Sequence, residues 1–378
     1  MRRAFFVTGA FLSVVLISTL TLKSQEGPVT PGGGTVARPR PTNPTNTDDA
    51  PAPDMAPIPS KLNKKNTGAD ADTPNFKVES NLVQIDASVL DNRGNFIPNI
   101  PRGNFRILED DVPQQIKSFT MGEAPMTVAL LIEFSAKWQG YYGRTWFQTL
   151  QASYGFVSTL KPQDYIAVIA YDMHSTILSD FSQDRSKTQE ALSRLRIPGF
   201  SESNLFDALV DTEERMKDIE GRKAIVLIST GVDTFSKLTF DKARRAIQED
   251  GVPIYGIGLM QALRIMMDGR MSGPQDLTFL QADNQMKTFS KETGGMSFFP
   301  RFEGEMPSIF QGIQQALRNQ YQIGYSPTNL AKDGKFRKIK IQLVNPQGDP
   351  LAIKDEKGKP IKYQIVAKAG YSAPRVVE

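Results

Sequence analysis

Val128-Ala129-Leu130-Leu131-Ile132-Glu133-Phe134-Ser135-Ala136-Lys137 is the stretch on which the fold turns. Five apolar residues run without interruption into a polar loop. Runs of the same kind follow at Tyr165 to Ala170, Ala224 to Ile228 and Pro253 to Gly258, with a fifth at Met296 to Phe299. Between them lie amphipathic stretches with helical spacing: Arg144 to Leu160, Ser186 to Leu195, Asn204 to Lys217, Phe240 to Glu249, Leu277 to Thr293 and Met306 to Arg318. Short continuous apolar strands alternating with helices are the signature of a parallel sheet covered on both faces. The expected fold class is therefore α/β, a doubly wound, mostly parallel sheet over residues 126–319. Thr239 and Ser186 are expected N-caps, and Gly251 and Gly294 C-terminal stops.

On either side the pattern changes to short strands. Residues 76–121 alternate through Val78, Leu82, Ile85, Ala87 and Val89. A turn follows at Asp91-Asn92-Arg93-Gly94, and then two further runs, Phe105 to Leu108 and Gln115 to Phe119. Residues 320–375 return to this pattern with Tyr321 to Tyr325, Arg337 to Val344 and Tyr363 to Ala367. Neither segment has enough strands for a core of its own. The expectation is that they pair into one all-β, immunoglobulin-like domain, with the α/β domain inserted between them.

Upstream, Arg2 and Arg3 precede an uncharged stretch from Ala4 to Leu22. A positive start followed by apolar residues reads as an export signal, and residues 1–25 are expected to act as a signal peptide or a signal anchor in the inner membrane. The protein is then periplasmic or on the cell surface. Residues 26–75 are dominated by Pro, Gly, Thr, Asn and Asp and read as a disordered linker.

Composition narrows the chemistry. The 378 residues contain 45 basic and 41 acidic side chains with no basic run, so there is no footprint for nucleic acid. There is no cysteine, which removes disulfides, thiol nucleophiles and Cys-bound zinc. His174, the single histidine, excludes multi-His metal sites and reads as a solvated turn residue rather than a catalytic base. No glycine-rich phosphate loop and no Gly-x-Ser-x-Gly elbow follows any strand, and the carboxylate pair Asp110-Asp111 falls in a turn. The reading is of a protein that is not an enzyme, a hydrolase being the disfavoured alternative.

In open parallel sheets ligands bind beyond the carboxyl ends of the strands. Three loops there carry Glu133-Phe134-Ser135-Ala136-Lys137, Ser201-Glu202-Ser203-Asn204 and Ser229-Thr230-Gly231-Val232-Asp233. Together they resemble the three loops of a von Willebrand factor type A domain, over roughly Val128 to Arg318. The flanking Asn104-Phe105-Arg106-Ile107-Leu108-Glu109-Asp110, Phe336-Arg337-Lys338-Ile339 and Gly370-Tyr371 resemble the von Willebrand factor A-related proteins of Acidobacteria.

That resemblance implies a metal-ion-dependent adhesion site: an Asp-x-Ser-x-Ser loop, a Thr and an Asp that hold Mg²⁺, with a partner's carboxylate completing the octahedron. Carried over, the first Asp is Glu133, the first Ser is Ser135, the second Ser is Lys137, the Thr is Ser203 and the last Asp is Thr230. Losing a carboxylate and gaining an ammonium disfavours a divalent cation. The expectation is a degenerate site that binds another protein through Glu133, Ser135, Lys137, Ser203, Thr230 and Asp233, with no cofactor. The Lys137 ammonium either takes the cation's place beside Glu133 or points to solvent. Asp207 reads as a first-turn helix residue rather than a ligand. Trp138, Tyr141 and Tyr142 are candidate contact anchors. The alternative is an adhesin that retains Mg²⁺ through Glu133, Ser135, Ser203 and Asp233.

Overall fold

The computed structural model describes residues 82–136, 150–151, 153–195, 200–266, 273–354 and 357–375. The export segment, the linker, Lys137, Trp138, Tyr141 and Tyr142 lie outside the described residues. Among the described residues no helix is long and apolar enough to cross a membrane.

The central sheet holds β5 (Met126–Glu133), β6 (Tyr165–Tyr171), β7 (Ser175–Ser182), β8 (Arg222–Ser229), β9 (Ile254–Gly258) and β10 (Ser297–Phe298) in the order β10-β9-β8-β5-β6-β7. All pairings are parallel except β6 with β7. Successive side chains of a strand point to opposite faces. Val128, Leu130 and Ile132 of β5 accordingly pack with Ala224, Val226 and Ile228 of β8 on one face, while Ala129 and Leu131 join Ile225 and Leu227 on the other.

The first face is covered by Phe156 of α1 (residues 153–159) and by Ile313 and Leu317 of α7 (Met306–Arg318). The second is covered by Leu205 and Leu209 of α3 (Leu205–Met216), Ile247 of α4 (Phe240–Asp250) and Phe289 of α6 (Gly273–Thr293). Two further helices, α2 (Arg185–Ser193) and α5 (Met260–Met266), complete the layer set. Each of the five apolar runs lies on a strand.

The helix ends test the local reading. Thr239 caps α4 by accepting a hydrogen bond from Lys242 N, and Gly251 ends it with φ +67, the left-handed conformation that glycine adopts without cost. Ser186 is not the cap of α2. Asp184 is, accepting from Ser186 N at 2.9 Å, because a carboxylate two residues upstream reaches the exposed amide better than the serine can.

The flanking strands form two four-stranded sheets. One has the order β15-β1-β11-β4, from β15 (Tyr363–Ala367), β1 (Val83–Asp91), β11 (Asn319–Tyr325) and β4 (Ile116–Glu123). The other has the order β16-β12-β2-β3, from β16 (Gly370–Ser372), β12 (Phe336–Leu343), β2 (Phe105–Glu109) and β3 (Val112–Gln114). A small ladder, β13 (Ile353–Lys354) with β14 (Pro360–Ile361), stands apart.

In both larger sheets strands from the two ends of the chain are hydrogen-bonded neighbours, and one core that includes Ile85, Ile107, Tyr321, Ile323 and Ile339 serves both. The buried Tyr321 hydroxyl donates to Ile97 O at 2.7 Å and accepts from Ile100 N. Tyr325 and Tyr371 both donate to Glu109, which is only 2% exposed.

The chain leaves this part through β4 and returns through β11, and those two strands pair, with Glu123 opposite Asn319. The α/β part is thus strung between adjacent strands. At the junction Asp164, fully buried, accepts from Arg318 at 2.7 Å, from Lys161 N and from Met126 N. Arg222 donates to the carbonyls of Arg318 and Gly122.

Candidate functional site

The order of the central sheet reverses between β5 and β8. In a doubly wound sheet that is the crevice where ligands bind, because the connections on either side leave in opposite directions. Glu133 closes β5 and Ser229 closes β8, so the crevice opens between them.

The Glu133 carboxylate bridges it. One oxygen accepts from Ser135 Oγ at 2.8 Å, within its own loop. The other accepts three hydrogen bonds from the facing loop: Ser229 Oγ at 2.8 Å, Thr230 N at 2.7 Å and Thr230 Oγ1 at 2.8 Å. Behind Ser229, the Tyr171 hydroxyl donates to Ser229 Oγ at 2.8 Å, and Gly231 N donates to the same oxygen. Burial raises the pKa of Glu133, and the bonds from Thr230, Ser135 and Ser229 pull it back. Tyr171 is pushed well above the usual phenol range by burial and by the nearby Glu133 charge.

The second loop is drawn onto the third through its backbone. Thr234 N and Phe235 N both donate to Ser203 O, and Thr234 Oγ1 accepts from Ser203 N at 2.9 Å. The Ser203 Oγ and Asn204 Oδ1 atoms are buried with no hydrogen-bond partner among the described residues.

Asp233 accepts from Phe206 N at the start of α3 and from Ser236 Oγ, and burial raises its pKa. Asp207 sits in the first turn of α3, but its carboxylate faces across to Lys237 N and Leu238 N, at 2.9 and 3.0 Å, and pins the third loop. The two acids therefore exchange elements: each holds the other's backbone.

The loops converge as their position in the sequence suggests, yet Glu133, Ser135, Ser203 and Thr230 are all 6% exposed or less. Among the described residues, the large apolar side chains exposed beside them include Phe200 and Phe235, each 49% exposed. Phe200 O accepts from Ala136 N, and the exposed His174 ring stacks on the Phe200 ring at 6.1 Å. His174 occupies the β6–β7 turn, where Asp172 accepts from its backbone amide.

Tyr171, Ser229, Phe200 and Phe235 were not singled out in the sequence. Tyr171 ends an apolar run and looks like core, whereas the exposed phenylalanines flank polar loop residues, a signal that could have been used.

The acidic oxygens at the crevice are turned toward protein donors. Mg²⁺ wants several oxygen ligands with free lone pairs in octahedral array. Glu133 has committed both oxygens to four donors, and Asp233 is turned to a helix start. Among the described residues no cluster of three or more His, Cys, Asp or Glu side chains could hold a metal.

No protein-family model and no curated protein matches the chain. Solved structures do. The von Willebrand factor domain of the type V pilus tip protein Mfa5 from Porphyromonas gingivalis is 14% identical with a TM-score of 0.40, covering 52% of this chain and 97% of that one. Proximal thread matrix protein 1 of the mussel byssus is 12% identical with a TM-score of 0.41, over 56% of this chain, which spans only about half, 51%, of that protein; another structure of it has a zinc-occupied adhesion-site motif. A von Willebrand factor type A protein from Catenulispora acidiphila is 13% identical with a TM-score of 0.38, covering 78% of this chain and 75% of that one. The fold reading rests on the strand order and the loops described above.

Proposed function

We propose that the chain is an exported, non-enzymatic protein-binding scaffold whose α/β domain, residues 126–319, is a von Willebrand factor A-type module with a degenerate adhesion site. The observation that carries this is the Glu133 carboxylate, which spans the crevice and is held by the facing loop where the family places a cation. The loops are locked by protein groups, and the docking rim is ready-formed. Contact with the partner falls to Phe200 and Phe235, since aromatic residues, Phe among them, are enriched at protein interfaces relative to the rest of the surface. Residues 76–121 and 320–375 form one immunoglobulin-like domain that carries the module, with residues 26–75 as the tether to residues 1–25.

A second reading, a Mg²⁺-dependent adhesin, draws on the two unpartnered buried oxygens of Ser203 and Asn204. One experiment separates the two. The native protein is cross-linked in membranes, its partner identified, and the purified pair measured with and without EDTA. The scaffold reading expects binding unchanged by EDTA and weakened at least about tenfold by Phe200→Ser with Phe235→Ser. Loss of binding in EDTA, or indifference to the phenylalanines, overturns it.

A further inference from the structure

A cleft of about 710 Å³ lies far along the chain from the three loops, between α6, β10, β12 and β15. Five of its lining residues are lysines: Lys287 and Lys291 on α6, Lys338 and Lys340 on β12, and Lys368 just after β15. Residues 338 and 340 share one face of their strand, and 287 and 291 one face of their helix, so each pair projects together. No Asp or Glu lines the cleft.

None of the five ammonium groups makes an ion pair among the described residues. Lys287 lies 4.8 Å from the centre of the Phe299 ring. Asp283, one turn earlier on α6, is paired to Arg264 at 3.2 Å. Lys368 feels Asp86 only at a distance, and burial lowers its pKa. Concentrated charge of one sign, left uncompensated, raises the local concentration of anions and is relieved by binding one.

Past the end of β15 the backbone is engaged, with Ala369 N donating to Glu292 O and Gly294 packed against Ala367 and Lys368, but along β15 itself the outer edge has no strand partner. β15 ends its sheet and pairs with β1 alone. β16 covers β12 only over Phe336–Lys338, and beyond that Ile339 N donates to Ala369 O. An unpaired strand edge offers amides and carbonyls to an incoming extended chain, while flanking side chains select it. A small anion would use the lysines alone; an extended acidic segment uses both features.

We propose that this cleft binds an acidic segment of a partner protein in extended form, added as a strand along the free edge of β15. The site is separate from the loop rim and does not depend on the reading of that rim.

The test is fluorescence anisotropy of a labelled peptide of alternating glutamate and threonine, titrated with the full chain. We expect saturable binding that weakens at least about tenfold at high salt and in Lys338→Glu with Lys340→Glu, two exposed positions at which the melting temperature should hold. Lys291→Glu on the helix side gives the same loss if the strand variant folds poorly. The same peptide N-methylated at alternate residues should fail to bind, and Phe200→Ser with Phe235→Ser should change nothing. No binding to the wild type, equal binding to the charge-reversed variants, equal binding of the N-methylated peptide, or binding of inorganic polyphosphate but not of the peptide would each overturn the proposal.

Discussion

Glu133 ends β5, and its side chain is long enough to carry the carboxylate across the crevice to Ser229 and Thr230. An acid buried this way has its folded pKa raised above the ordinary 4.5, since desolvation outweighs the four donors. The sign follows: the folded state holds the proton more tightly. The stability linked to Glu133 is complete below the unfolded value and declines as pH rises through the folded one. Glu133→Gln should therefore match the wild type in acid and gain on it progressively toward neutral pH, read as the difference in melting temperature across a pH series. Glu133→Ala strands Ser135, Ser229 and the Thr230 amide and should cost about 3 kcal/mol in urea melts. That an acid ends the first apolar run is visible in the sequence, but its consequence is not, because Ser229 and Tyr171 close apolar strands and read as their ends.

Elements were legible in proportion to how long and how apolar they are. The runs at 128–132 and 224–228 became the two central strands because a sheet covered on both faces buries such a run whole, and five residues are too few for a buried helix. β7 escaped notice since Ser175-Thr176-Ile177-Leu178-Ser179-Asp180-Phe181-Ser182 is an edge strand, half solvated, with neither a continuous run nor a clean alternation. β13, β14 and β16 are two or three residues long, held by pairing partners that sequence spacing does not reveal. At the junction, α7 runs directly into β11 at Arg318, whose guanidinium is buried against Asp164. Removing one member of a buried pair leaves the other uncompensated. Asp164→Asn should cost about 3 kcal/mol in chemical denaturation, whereas exposed pairs such as Arg194 with Glu190 should be near neutral when broken.

At the scale of the whole molecule, the expectation that the two β segments need one another came from counting strands too few for a core. β1 lies between β11 and β15, so its two neighbours both come from the far end of the chain. Deleting residues 320–378 should therefore leave residues 82–123 open to limited proteolysis, and protection equal to that of the intact protein would contradict the account. The same architecture sets the α/β part on paired strands and presents the crevice between β5 and β8 at its rim, closed by a carboxylate. Titration calorimetry of the intact protein with Mg²⁺ and Mn²⁺ tests that closure most directly. The account predicts no saturable heat up to millimolar metal. One-to-one binding that disappears in Ser135→Ala would contradict it.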